Sequence, residues 1–237
     1  MNHVREPVRT VAAPLRVCAL IPAYDEADRI AGVVARVRPF VDTVLVVDDG
    51  SADGTGEAAA AAGAEVLRLE SNHGKGCAVR AGLDRLLSGR FTHVLFMDGD
   101  GQHLPEDVPA LLGCAAGTGA DLVIGARPFE RERMPASRHF SNTVGSRITS
   151  WLTGRPIHDS QCGFRVATVE ALRRLSLRAT KYEIEMEVLI KLCRQGGTVA
   201  HAPVAMVYDN GQARSKMNPV RDTIRICLWS LAYRFLG

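Results

Sequence analysis

A chain of 237 residues, 46% of them hydrophobic, makes one large domain or one domain with a small appendage and can bury a sizeable core. Aromatic residues are only 5% of the total, which argues against a β-sandwich and suits α/β layers packed from Ala, Val and Leu. The net charge of +3 leaves no electrostatic footprint for nucleic acid, and no nucleic-acid partner is expected.

The N-terminus, residues 1–16, carries basic residues and two prolines but no apolar core of signal-peptide length, and reads as a flexible tail. Cys18, Cys77, Cys114, Cys162, Cys193 and Cys227 include no Cys-x-x-Cys spacing. Reduced, mostly buried thiols are expected, not a disulfide framework or a zinc site. No run reaches the roughly 18 apolar residues that span a bilayer. The expected location is cytoplasmic, at most peripheral on a membrane.

From residue 17 the pattern alternates short apolar runs with helical segments. Strands are predicted at Val17–Ile21, Thr43–Val47, Glu65–Leu69, His93–Met97 and Leu122–Ile124. Helices are predicted at Glu26–Val37, Thr55–Ala62, Lys75–Leu87 and Pro105–Cys114. The first strands are almost unbroken Val, Leu and Ile, as expected when helices cover both sheet faces. Such alternation points to a Rossmann-like, mostly parallel α/β sheet whose strand C-termini share one edge, where ligands bind. After Arg127 the rhythm changes. Helices are expected at Met134–Trp151, Thr168–Leu175, Glu183–Gln195 and Met217–Leu236. Ile157–Phe164 reads as a polar turn, and Thr198–Tyr208 as an extended edge strand carrying Pro203.

Polar clusters stand where the strands stop. Asp98-Gly99-Asp100 follows the fourth strand, with Gln102 at the next alternate position. Two carboxylates one residue apart can reach one hard cation, and Mg²⁺ or Mn²⁺ takes oxygen ligands while bridging to phosphates. A solvated acidic turn is the bland alternative; the position directly after a buried strand favours the metal. Asp48-Asp49-Gly50-Ser51 reads either as an ordinary turn or as a contact to a base or ribose. Asn72-His73-Gly74-Lys75-Gly76 offers backbone N–H groups and one cation to phosphate without full P-loop spacing. The absence of Gly-x-Gly-x-x-Gly after the first strand counts against a dinucleotide-dependent dehydrogenase.

Seven segments in order carry a resemblance: Ile21-Pro22-Ala23-Tyr24-Asp25-Glu26, Val46 to Thr55, Asn72 to Gly76, Met97 to His103, Gly125-Ala126-Arg127, Asp159 to Arg165, and Arg214-Ser215-Lys216. On them the chain resembles the inverting family 2 glycosyltransferases of GT-A fold, and within these the dolichyl- or polyprenyl-phosphate mannosyl- and glucosyltransferases. The resemblance implies a hexose moved from a nucleotide-diphosphate sugar, of GDP-mannose or UDP-glucose type, to a polyprenyl or dolichyl phosphate at the cytoplasmic face of a membrane. A soluble enzyme with a sugar or small hydroxyl acceptor is the alternative, and a nucleotide-binding regulatory protein on the same scaffold is a third reading.

The resemblance also implies roles. Pro22, Tyr24, Glu26 and Asp49 would contact the nucleoside. Asp98, Asp100 and Gln102 would hold Mg²⁺ or Mn²⁺ on the diphosphate. Lys75, Arg127, Arg138, Arg214 and Lys216 would serve phosphates or acceptor. Asp159 would orient the acceptor, or act as base toward a hydroxyl. The implied organisation is a GT-A catalytic domain over residues 17–216 and an amphipathic helix over 217–237 packed on it. That helix has two apolar stripes, one containing Ile226, Trp229, Tyr233 and Leu236. A membrane surface, a dimer partner or simple burial is expected to cover the second stripe.

Overall fold

The computed structural model describes residues 14–127 and 136–205, with the side chains of 136–144 excepted, together with Trp229 and Tyr233. Its centre is a seven-stranded sheet: β1 (Val17–Ala23), β2 (Thr43–Asp48), β3 (Glu65–Arg68), β4 (His93–Phe96), β5 (Leu122–Ala126), β6 (Arg165–Thr168) and β7 (Val199–Pro203). The spatial order is β3-β2-β1-β4-β6-β5-β7. Strands β1 to β4 pair in parallel, β7 is parallel to β5, and β6 runs antiparallel to both β4 and β5. The sheet is therefore mostly parallel, as the alternation predicts.

The helices are α1 (Ala27–Val37), α2 (Thr55–Ala61), α3 (Lys75–Leu86), α4 (Val108–Thr118), α5 (Ala136–Thr153), α6 (Val169–Arg173) and α7 (Ile184–Arg194). Consecutive residues Cys18 to Ile21 and Leu45 to Val47 have no exposed surface at all, the pattern of strands covered on both faces. Helix α1 packs on α2 and on the 3₁₀ turn Pro105–Asp107, while α7 packs on α3, α5 and α6. Gly82 lets α3 lie close on the sheet, since a Cβ there would come 2.3 Å from Leu20 Cδ1.

Two differences from the sequence reading matter. Strand β6 (Arg165–Thr168) was not predicted: only four residues long and preceded by a polar turn, it shows too little alternation to be read, whereas the helix expected from Thr168 is present as α6, with Thr168 as its N-cap. The predicted helix Pro105–Cys114 is a 3₁₀ turn running into α4, which reaches Thr118 and closes on Gly119 in the left-handed conformation at φ 63°.

Residues 217–237 lie outside the described residues except for Trp229 and Tyr233, both helical. Tyr233 is buried in a cluster with Leu152, Met186 and Ile190, and Arg194 Nη1 donates to its carbonyl at 2.5 Å. At this residue the structure shows the burial alternative: Tyr233 faces α5 and α7. Trp229 stacks on it, with ring centroids 5.5 Å apart, and remains 44% exposed. Among the described residues no helix is long and apolar enough to cross a membrane. The five described cysteines are all unpaired.

Candidate active site

Because β6 alone is reversed, the C-terminal ends of β1, β2, β4 and β5 and the N-terminal end of β6 lie at one edge. The predicted polar clusters therefore converge. A pocket opens there, lined by Pro22, Lys75, Met97, Asp98, Gly163 and Glu185 among others.

The β1 and β2 ends are laced together. Asp25, at φ 50°, donates its N–H to Ser51 Oγ and accepts from the Ala52 N–H. The Glu26 N–H donates to Thr55 Oγ1 at 2.8 Å, and the Ala27 N–H to Asp53 Oδ2 at 3.0 Å. Tyr24 stands exposed at this rim, and the charge of the adjacent Asp25 raises its phenol above the ordinary value. The Glu26 carboxylate pairs with Arg29 at 3.1 Å.

Asp49 is buried at 3% exposure. Its two oxygens accept from the backbone N–H groups of His73 and Gly74, at 2.9 and 2.7 Å. Asp49, which the resemblance places at the nucleoside, is thus anchored to the following loop. In the loop expected to cradle phosphate, residues 72–76, several backbone amides are engaged within the protein. The His73 and Gly74 amides go to Asp49, and those of Gly76 and Cys77 go to the Thr180 carbonyl. What this loop offers the site is the Lys75 ammonium.

Lys75 Nζ lies 2.5 Å from Asp98 Oδ1 and 2.5 Å from Glu185 Oε1. Burial alone would lower the lysine, but the two carboxylates outweigh it and hold Lys75 above its ordinary range. Asp98 likewise sits below the carboxylate range: burial opposes this, and Lys75 and His103 overcome it. His103 Nε2 is 3.7 Å from Asp98 Oδ2; its ring is buried, stacks on Phe164 at 5.1 Å, and leaves Nδ1 without a hydrogen-bond partner. Asp100 is raised, by burial first and then by the Asp98 charge. Its Oδ1 accepts only a backbone N–H, from Gln102 at 3.0 Å. Two neighbouring carboxylates, one of them pushed up by the other, suit a hard divalent cation. Gly163 adds the room: a Cβ there would come within 3.0 Å of Asp98 Oδ2.

On the other side of β6, Arg127 Nε donates to Asp159 Oδ2 at 2.5 Å and Nη2 to Oδ1 at 2.9 Å. Asp159 has no exposed surface. Its loop is anchored on α5, with the Ser160 N–H donating to Ser146 Oγ and the Ile157 N–H to Ser150 Oγ. Arg165 is buried beneath the loop and donates to the carbonyls of Cys162, Ser160 and Glu185 at 2.6 to 2.7 Å. Burial lowers Arg165, yet three carbonyl acceptors satisfy the guanidinium where it sits.

The structure thus brings Pro22, Lys75, Asp98 and Gly163 to one pocket, with Asp100 and Gln102 on the same loop as Asp98. Arg127 and Asp159 pair with each other. The side chain of Arg138, and Arg214 and Lys216 entirely, lie outside the described residues. Glu185, His103 and Arg165 were missed. Glu185 lies among Glu183, Glu185 and Glu187 at the start of a helix, where acids are ordinary partners of the helix dipole. Only its register with Lys75, invisible in sequence, sets it apart.

Comparison with known proteins agrees with this geometry. Residues 18–176 match the model of glycosyl transferase family 2. The chain is 32% identical to an undecaprenyl-phosphate mannosyltransferase of Micrococcus luteus, covering 94% of this chain and 97% of that protein. It is 31% identical to the polyprenol monophosphomannose synthase of Mycolicibacterium smegmatis, covering 97% and 92%. Glucosyl-3-phosphoglycerate synthase of Mycobacterium tuberculosis superposes with a TM-score of 0.70 over 92% of this chain and 78% of that one, at 22% identity. These matches, with the seven-stranded sheet, establish the fold as GT-A, and the chain belongs to glycosyltransferase family 2.

Proposed function

We propose that the chain transfers a hexose, with inversion, from a nucleotide-diphosphate sugar of the GDP-mannose or UDP-glucose type to a polyprenyl or dolichyl phosphate. The single observation that carries the choice of acceptor is the Arg127–Asp159 pair. A general base must accept a proton, yet both oxygens of this buried carboxylate are held by one guanidinium. An acceptor that is already an anion needs no base. The relatives from Micrococcus luteus and Mycolicibacterium smegmatis, named for polyprenyl-phosphate substrates, support the same reading.

In this reading the acceptor phosphate oxygen bonds to the anomeric carbon as the bond to the donor diphosphate breaks on the opposite face. Asp98, Asp100 and Gln102 would hold Mg²⁺ or Mn²⁺, and a solved M. tuberculosis structure containing Mn²⁺ and UDP-glucose shares the fold. Such an ion, when bound, supplies Lewis acidity toward the leaving diphosphate. Pro22, Tyr24 and Glu26 flank the nucleoside end, and Asp49 shapes that end through the 72–76 loop. Asp159 fixes the orientation of Arg127 at the end of β5. Arg127, with Arg138, Arg214 and Lys216, supplies positive charge for the phosphates.

Contact with the cytoplasmic face of a membrane belongs to the same proposal. Both tryptophans are exposed, Trp151 at 71% and Trp229 at 44%, and exposed indoles suit a headgroup interface. The test is transfer by the purified full chain from GDP-mannose and UDP-glucose, with Mn²⁺ or with EDTA, to a short polyprenyl phosphate or to hydroxyl-bearing sugars. Mn²⁺-dependent transfer to the lipid phosphate is expected. Transfer to hydroxyl acceptors alone would overturn the acceptor reading, and full turnover in EDTA would overturn the metal.

A further inference from the structure

Lys75 is one ammonium shared by two carboxylates from separate elements. It is the first residue of α3; Asp98 lies after β4; Glu185 is in the first turn of α7. Both contacts are 2.5 Å, and the Lys75 and Glu185 side chains are only 17% and 16% exposed. The surrounding backbone keeps the three together. Gly76 and Cys77 donate to the Thr180 carbonyl, tying the start of α3 to the segment leading into α7. Arg165 donates to the Glu185 carbonyl and ties α7 to β6. Gly76 has no side chain to hold the segments apart; a Cβ there would meet the Ala179 carbonyl oxygen at 2.6 Å.

The proposed cation ligand Asp98 therefore already has a cation on one oxygen, and that cation has a second carboxylate to go to. We propose that Glu185 is a positioning residue that draws Lys75 toward α7, so that the ammonium yields Asp98 to a divalent cation without leaving the site. Lys75 competes with the metal for Asp98 Oδ1, and Glu185 weakens that competition. When the metal is seated, Glu185 keeps Lys75 paired beside the diphosphate. This rests on the reading of Asp98 and Asp100 as cation ligands.

The two side chains then have opposite effects on binding of the metal alone. Lys75→Met removes the competitor and leaves Glu185 as added negative charge, so Mn²⁺ binds about five-fold more tightly, the size of one partly screened charge pair. Glu185→Gln removes the rival carboxylate and commits Lys75 to Asp98, so Mn²⁺ binds about five-fold more weakly. A merely structural role would weaken both.

The experiment is titration of nucleotide-free full chain with Mn²⁺, following the free-ion electron paramagnetic resonance signal, for the wild type, Lys75→Met, Glu185→Gln and Glu185→Asp. The Asp variant retains the charge on a shorter stem and is expected between wild type and Gln. Opposite shifts support the proposal. Weakening by both Lys75→Met and Glu185→Gln, or an unchanged Glu185→Gln, overturns it while leaving the metal site standing. A wild type that leaves the Mn²⁺ signal untouched overturns the metal reading and this inference with it.

Discussion

Arg127 and Asp159, 32 residues apart in sequence, meet through two parallel hydrogen bonds in a site where Asp159 is wholly buried. Neutralising Asp159 takes from the Arg127 guanidinium its buried carboxylate. Asp159→Asn is expected to lower stability by about 3–5 kcal/mol, as for other buried pairs that lose a partner. The double variant Arg127→Met/Asp159→Asn should lose less than the sum of the single changes. Urea unfolding measures both. Turnover should fall in Asp159→Asn, but the acidic limb of the rate–pH profile should stay in place; a shifted limb would restore Asp159 as a base.

Among the described residues, Asp100 accepts one hydrogen bond, from the Gln102 N–H. Asp100→Ala is expected to lower Mn²⁺-dependent transfer by on the order of 10²–10³-fold, the loss typical of a key electrostatic group. The thermal midpoint should hold, because relieving a carboxylate crowded by Asp98 offsets the lost turn bond. Transfer assays paired with melting curves separate the two effects.

How far this site was legible depends on what each residue contributes. Asp98 and Asp100 could be read because their chemistry is local: two acids on a short loop after an apolar strand. The ends of β1, β2 and β5 were legible for the same reason, and alternation placed them on one edge. Asp49 could not be read, because its partners are amides 24 and 25 residues away. Glu185 was hidden by helix chemistry and β6 by brevity. Asp53 serves folding, accepting from the Ala27 and Thr55 N–H groups across the β1–β2 edge.

His201 carries a stability–pH prediction. Burial, helped by the charges of His158 and Arg165, pushes it down to about 4 from an ordinary value of 6.5. Its Nε2 accepts from the His158 N–H. Between those values the unfolded chain takes up a proton that the folded chain refuses, so stability is lost as pH falls through that window. In His201→Gln, where the amide oxygen can accept the same bond, about 1–2 kcal/mol of that loss should vanish. Urea unfolding at a series of pH values checks it.

Two glycines separate crowding from propensity. Gly76→Ala should cost about 1–3 kcal/mol, because the new methyl meets the backbone of Ala179 and Thr180 at 2.6 to 2.8 Å. Gly32, inside α1, has nothing within 4 Å of a new Cβ. Gly32→Ala should stabilise by up to about 1 kcal/mol. Chemical denaturation of both variants is the measurement.

The exposed indoles make membrane contact testable without disturbing the core. Trp151→Ser/Trp229→Ser should reduce sedimentation with anionic liposomes at low salt while the melting temperature holds. Tyr233→Ser is expected to behave differently, because it opens the cluster with Leu152, Met186 and Ile190 and removes the ring under Lys191. It should destabilise by about 2–4 kcal/mol. Wild-type protein that stays in the supernatant would remove the membrane from the proposal.

The single reversed strand, β6, has a consequence for how specificity in this scaffold can change. A parallel strand presents to the site the loop that follows it, and that loop must then cross the sheet to begin the next strand. Strand β6 presents the loop that precedes it, and this loop arrives from α5 on the same side. Residues 154–164 thus connect α5 to β6 at the sheet edge that carries Arg127 and Asp98. Their inner members, Asp159 and Gly163, touch Arg127 and face Asp98. Exchange of this segment between relatives would recast the surroundings of Arg127 and Asp98 and leave the threading of β1 and β2 intact.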